Sequence, residues 1–162
     1  MLKLYKTKNE RVYDKIKALL NVSEIKRTQN GKPYTEESDV RFSVTHTDGA
    51  ALIVVSDSPV GIDAEKITER RYDAVLKRFS PREQAEINDS TAFLKNWVVK
   101  EAYIKMLGGT LAHDLKRLEY ADGRLLCDGE KVSCAVLIAV CDGIIYAVCT
   151  ETEQKTDRII LL

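Results

Sequence analysis

"WVVKEAYIKMLGG", Trp97 to Gly109, has the spacing of a helix closed by glycines, yet its charges fall where a helix's apolar side belongs. With about 100° per residue and Phe93 as origin, Trp97, Ile104 and Leu107 fall within roughly a third of the circumference. Lys100 falls among them, and Glu101 borders the stripe with Lys105 one turn on. The opposite side carries Val99, Ala102 and Met106 in place of a polar coat, the pattern of a largely buried helix. On a solvated face Glu101 and Lys105 would form an i,i+4 pair worth ~0.3 kcal/mol. On a buried helix, two lysines and a glutamate need partners that offset lost hydration, which points to a phosphate or metal site. Lysine stems that carry their ammonium groups out to water are the competing reading.

Upstream, Ser80, Pro81 and Glu83 supply N-cap, first-turn proline and N3 glutamate for another helix. Tyr72, Val75, Leu76 and Phe79 predict a helix over 68–79, and Thr7 with Glu10 predicts a capped helix to about Leu20, with Val12, Ile16 and Leu19 inward. Between them, "NGKPY" marks a turn or extended loop. The strands "VRFSVTHT" and "AALIVVS" follow, joined at Asp48-Gly49, and then "VGIDAEKI". Beyond Gly109 come "RLEYAD", "GRLLCD", "VSCAVLIAV" and "IIYAVCT", separated by Asp-Gly turns at Asp122, Asp128 and Asp142. This order implies an α+β fold with antiparallel sheets. Helix followed by strands occurs once in each half, and "THTDGAALIVV" echoes "AVCDGIIYAV". The expectation is one domain, 1–162, of two similar halves, about 1–66 and 67–162.

The 162 residues carry no formal net charge, which argues against a dedicated nucleic-acid binder. No apolar run is long enough for a membrane span, and the start lacks the apolar core of a signal peptide, so a cytoplasmic protein is expected. Cys127, Cys134, Cys141 and Cys149 show no C-x-x-C spacing and only two histidines accompany them, so free thiols are expected rather than zinc.

In "PVGIDAEKI", strand alternation sends Gly61, Asp63 and Glu65 to one face. Two carboxylates side by side call for a cation, and hard oxygen ligands select Mg2+ or Mn2+; an exposed acidic strand face is the bland alternative. Gly61 leaves room there for a ligand or another backbone. Joined to Glu101, the pair makes a three-carboxylate site, with Lys100 and Lys105 supplying positive charge for a phosphate-bearing ligand.

"VGIDAEKI" followed by "WVVKEAYIKMLGGTL" resembles the paired signature of the 4'-phosphopantetheinyl transferases, G-[IV]-D-x-E and then W-x-x-K-E-[AS]-x-x-K. "GKPY", "FSVTHT" and "KRFSPRE" are similar to three further elements of that family, although Thr45 stands where serine is usual. The glutamate two residues after Asp63 favours the surfactin-synthetase-activating type, a monomer of two similar halves, for which this chain is short. The resemblance implies transfer of the 4'-phosphopantetheine arm of coenzyme A to a serine of an acyl or peptidyl carrier protein, with release of adenosine 3',5'-bisphosphate. It implies Mg2+ on Asp63, Glu65 and Glu101, Glu101 assisting deprotonation of the serine, and Lys100 and Lys105 on phosphates. It also implies His46 and Thr45 at the coenzyme's 3'-phosphate and Lys32 and Pro33 along the adenine. From its pattern alone His46, sharing a face with Phe42 and Val44, reads as a core histidine, and Lys32-Pro33 as an ordinary turn. Two rivals stand beside the transferase: a Mg2+-dependent phosphodiesterase, and a shortened paralogue that binds coenzyme A or carrier protein without turnover.

Overall fold

Leu2 and Leu4 alternate with Lys3, and this period of two decides the start of the chain. It forms strand β1 (Leu2–Lys8), with Thr7 buried in it, rather than a helix capped by Thr7. Pairing along its whole length with an apolar partner, from Leu2↔Ser56 to Lys8↔Ala50, outweighs one local capping signal. Helix α1 (Val12–Leu20) follows Arg11, which has φ 58° and gives no side-chain cap, and it buries Val12 and Ile16. The computed structural model describes residues 2–47, 49–69, 71–151 and 159–161.

Strands β2 (Lys26–Arg27) and β3 (Pro33–Tyr34) pair on either side of the Asn30-Gly31 turn. β4 (Arg41–Thr47) and β5 (Ala50–Ser56) form the expected hairpin with Thr47 opposite Ala50; Asp48 of its turn lies outside the described residues. β6 (Val60–Lys66) comes next. The helix expected over 68–79 is only one turn, α2 (Asp73–Leu76). Its anchors still serve the core, because Tyr72 and Phe79 stack on Phe93 with centroids 3.9 and 5.5 Å away. Ser80 and Glu83 make the full capping box of α3 (Pro81–Glu86). Asp89 caps α4 (Ser90–Leu107), which ends at Gly108 with φ 73°.

A turn of helix, α5 (Leu111–Asp114), and a 3-10 turn, Leu115–Arg117, lead into β7 (Leu118–Ala121), β8 (Arg124–Cys127) and β9 (Glu130–Lys131). Then come β10 (Ala135–Cys141), β11 (Ile144–Thr150) and β12 (Ile159–Leu161). Asp122, Asp128 and Asp142 take φ near 50° and their glycines φ of 69–85°, the two positive angles that a two-residue hairpin turn needs.

The fold is α+β. One sheet runs β12-β1-β5-β4 and another β10-β11-β6, with β7-β8-β9 as a separate small sheet. They stack in four layers. Ile53, Val55 and Phe42 meet α1, whereas Leu52 and Val54 meet Ile62, Ala64 and Val148 of the second sheet. The outer face of that second sheet, with Ala147 and Cys149, lies beneath α4. β6, at the end of the first half, thus serves the second sheet, while β12 returns to the first. Among the described residues no helix is long and apolar enough to cross a membrane.

Gly61 sets the seam between β6 and α4. A Cβ there would lie 1.9 Å from Ala102 O and 2.4 Å from Met106 N, both backbone atoms of α4. Of the two visitors that the sequence allows at Gly61, it is therefore another backbone that approaches. Helix backbone cannot yield as a side-chain tip can, so Gly61→Ala should cost about 3 kcal/mol or more. Denaturant unfolding checks this; a loss below 1 kcal/mol would mean that α4 can lift off β6 freely.

Candidate active site

β4 is the outer strand of its sheet, and a cleft of about 410 Å3 wraps round its open edge. Three distant segments line it: Lys32 and Pro33 after the β2–β3 turn, Ser43, Val44 and His46 of β4, and Glu101, Ile104 and Lys105 of α4. His46 is exposed, so it is no core histidine. Thr45 points from the opposite face of β4 and is buried, its hydroxyl donating to Asp63 Oδ1 at 3.0 Å.

Asp63 and Lys105 meet because Gly61, Asp63 and Glu65 share the face on which α4 rests. Lys105 Nζ donates to Asp63 Oδ1 at 2.6 Å and to Thr45 Oγ1 at 3.3 Å, and stands 4.0 Å from Glu101 Oε2. Burial pushes the Asp63 carboxyl above its usual range, opposed by the charge and hydrogen bond of Lys105 and by the Thr45 hydroxyl. Glu101 is raised to about 7, first by burial and then by the charge of Asp63, with Lys105 pulling the other way and Glu65 adding a smaller upward push. The three carboxylates therefore feel one another.

Lys32 is tied to the helix end: its Nζ donates to Met106 O at 2.7 Å, where carbonyls at a helix C-terminus favour a cation. Burial and the nearby Arg41 lower its pKa. Asn30 Nδ2 donates to Gly108 O at 2.9 Å, so this turn caps α4 while forming a cleft wall. Two lining residues escaped the sequence reading, Arg27 and Tyr13. Arg27 pairs across the hairpin with Pro33 and lies over the Tyr13 ring, 5.2 Å from its centroid. Its signal would have been the short hairpin itself, which two-residue strands do not announce.

Lys100 corrects the expectation of a phosphate contact. It is fully buried on another side of α4, in an ion pair with Glu83 and 3.8 Å from the centroid of Phe79. Glu83 also accepts from Ser80 N and Tyr120 N, each at 2.8 Å, so one carboxylate ties α3, β7 and α4 together. Burial lowers the Lys100 pKa, and Glu83 opposes that shift.

Among the described residues no three His, Cys, Asp or Glu side chains are gathered closely enough to hold a metal ion. The donor chemistry nevertheless fits Mg2+, which keeps several waters and needs only one or two carboxylates. Asp63 Oδ2 is buried without a hydrogen-bond partner, an acceptor left open beside Glu101.

Removing one partner of a buried ion pair strands the other, so Lys100→Met should cost roughly 3–5 kcal/mol, and the Lys100→Met/Glu83→Gln double variant should recover part of it. Additive losses in a denaturant cycle would show that the two residues do not act as a pair. A second expectation concerns pH. Because the Glu101 pKa is raised to about 7, the folded state holds a proton that the unfolded state releases from about pH 4.5. Stability should therefore fall as pH rises through that window, and Glu101→Gln should flatten the slope in melting curves taken across it.

Comparison with known proteins covers the segments that hold these residues. The family model of the 4'-phosphopantetheinyl transferase superfamily matches residues 59–136, which hold Asp63, Glu65, Glu101 and Lys105. The 4'-phosphopantetheinyl transferase gsp of Aneurinibacillus migulanus is 30% identical over 89 residues, 51% of this chain and 37% of that protein. The 4'-phosphopantetheinyl transferase of Bacillus subtilis is 30% identical over 51% of this chain and 40% of its own length. The human L-aminoadipate-semialdehyde dehydrogenase-phosphopantetheinyl transferase is 26% identical over 154 residues, 74% of this chain and 50% of its own. The chain thus spans half or less of the length of these relatives. By these matches the chain is similar to the 4'-phosphopantetheinyl transferase superfamily over the stretch that holds Asp63, Glu65, Glu101 and Lys105.

Proposed function

We propose that this protein transfers the 4'-phosphopantetheine arm of coenzyme A to a serine hydroxyl of an acyl or peptidyl carrier protein, releasing adenosine 3',5'-bisphosphate. The observation that carries the reading is convergence: Lys32, Pro33, His46, Glu101 and Lys105, from three separate segments, line one cleft, and Asp63 lies directly beneath Lys105. Lys32, His46 and Arg27 give that cleft the positive and donor groups that phosphates require. Each chain carries all of these residues itself, and we read its two α+β parts as one domain acting alone at this site.

In the proposed reaction the serine oxygen bonds to the phosphorus that bears the pantetheine arm. The bond from that phosphorus to the bisphosphate oxygen breaks, and the serine proton passes to Glu101. A carboxyl with a pKa of about 7 is matched to that task, because near neutrality it is ionised often enough to accept and basic enough to hold the proton. Lys105, with its side chain 33% exposed, stands where it can leave Asp63 and meet charge developing on the departing phosphate. Held by Asp63 and Glu101, with Glu65 contributing only its nearby charge, Mg2+ would neutralise charge on the pyrophosphate oxygens.

Apo carrier protein incubated with coenzyme A and Mg2+ should gain the mass of one phosphopantetheine group. Glu101→Gln should abolish single-turnover transfer while the protein stays folded, and Lys105→Ala should slow it on the order of 10²-fold. Coenzyme binding without any mass gain would favour the non-catalytic paralogue. Cleavage of phosphodiesters in place of transfer would favour the hydrolase.

A further inference from the structure

Cys149 is the residue of β11 that stands opposite Gly61 of β6, the glycine on which α4 rests. It is fully buried, and its thiol reaches the underside of α4, with Sγ 3.7 Å from Val99 O. On its other flank Cys149 pairs with Val136 of β10, and Cys134, two residues before Val136, packs into the same cluster beneath α4. There the Cys149 thiol also donates to the Cys134 sulfur. The two differ in access. Cys134 is half-buried and lines a groove of about 730 Å3, whereas Cys149 has no exposed surface. Neither thiol takes part in the cleft, and two thiols in contact, one of them reachable from outside, make an oxidisable pair.

We propose that Cys134 and Cys149 form a modification site at which hydrogen peroxide closes an intrachain disulfide, and that closing it unseats α4 from the sheet. In the first step the Cys134 thiolate attacks one oxygen of the peroxide and the O–O bond breaks. The released hydroxide takes up the proton that Cys134 gave off, leaving water and a sulfenic acid on Cys134. In the second step the Cys149 sulfur attacks the Cys134 sulfur: the S–S bond forms, the S–O bond breaks, and the departing hydroxide leaves with the Cys149 proton as a second water. Two thiols have then given up two electrons and the peroxide has taken them. The direction of attack follows from the hydrogen bond. Donation from Cys149 holds the Cys134 thiol below its usual range, while the same bond, together with burial, pushes the Cys149 thiol well up. Cys134 is thus the attacking thiolate and Cys149 the thiol that resolves it.

The consequence for the fold lies beside Gly61. To bond Cys134, the Cys149 sulfur turns from Val99 O and loses the proton it directs there, in a layer where Val99 and Ala102 are closed to solvent. Packed interiors transmit such a change to their neighbours. Ala102 O and Met106 N stand over Gly61, and the same turns of α4 carry Glu101 and Lys105 to the cleft.

Peroxide treatment of the full chain should remove the two thiol hydrogens from its mass and give a 134–149 peptide link that dithiothreitol opens. Trp97, the chain's one tryptophan, lies on α4, so a shift of its emission on oxidation, reversed by dithiothreitol, reads the helix without any transfer assay. The effect on activity rests on the function proposed above: transfer by the oxidised chain should be about 10²-fold slower and recover on reduction. Cys134→Ser alters a half-buried position outside the cleft, so it should transfer at the wild-type rate and lose every response to peroxide. Absence of the link, or a link from Cys134 to Cys127, overturns the proposal. So does a 134–149 link that leaves Trp97 emission or transfer as in the reduced chain. A reduced chain that modifies no carrier protein overturns the transferase reading alone, because link and emission still decide this one.

Discussion

The contact that the cleft depends on is backbone against backbone: Ala102 and Met106 of α4 resting on Gly61 of β6. Any side chain at that position would hold the helix away from the sheet. With hydrogen there, Lys105, one turn along α4 from Glu101, reaches Asp63, two residues along β6 from Gly61, at 2.6 Å. Strand period and helix period match over this short span, so Glu101 comes within electrostatic reach of both Asp63 and Glu65. The apolar coat of α4 then has a simple cause. A helix pressed this closely onto a sheet, and covered by α3 and β7 behind, leaves water little beyond Lys95, its two ends and the Glu101–Lys105 edge.

Burying charge on such a helix is costly, and the two lysines settle that cost differently. Glu83 already receives Ser80 N and Tyr120 N before Lys100 arrives, so its carboxylate is fully engaged and the whole group is closed to solvent. A pair of this kind is stabilised by its opposite charges and by the backbone hydrogen bonds to Glu83, and its complete burial leaves no path for a ligand. Asp63 differs. Its Oδ1 takes Lys105 and Thr45, its Oδ2 takes nothing, and Lys105 itself opens onto the cleft. An open acceptor beside a part-exposed lysine at the wall of a cleft distinguishes this pair from the sealed one.

The sequence disclosed this site more readily than its surroundings. Alternation along Gly61-Ile62-Asp63-Ala64-Glu65 and the i,i+4 spacing of Glu101 and Lys105 are local facts, and both hold in three dimensions. Helical period puts Lys100 on a face of α4 but does not say what packs there, so a phosphate and a buried carboxylate are equally open to it in sequence. Its true partner, Glu83, was visible only as a helix cap. The missed β1 has the same origin in reverse. Thr7 and Glu10 fit a capping box locally, but the second edge of apolar β5 offered seven residues of ladder, and that long-range gain is invisible in a window of four residues. The hairpins of the second half were legible because positive φ at Asp-Gly is a requirement of the turn itself.

A net charge of zero hides an uneven distribution, and the cleft turns that unevenness to use. Asp63, Glu101 and Lys105 would sum to one negative charge if all were ionised, an unwelcoming floor for a phosphate. Burial first, and then the charge of Asp63, raise the Glu101 carboxyl to about 7, which lessens that charge near neutrality. The carboxylates are thus present as latent acceptors without repelling an incoming anion at full strength. The basic groups that face the anion, Lys32, Arg27 and His46, stand on separate elements and are partly held by helix carbonyls and the Tyr13 ring. The positions of Lys32 and Arg27 are consequently set before any ligand arrives, which lowers the ordering cost of binding. A carboxyl shifted toward its neutral form and basic groups already held in place act in the same direction, so a protein of no net charge can still gather positive and donor groups round one cleft.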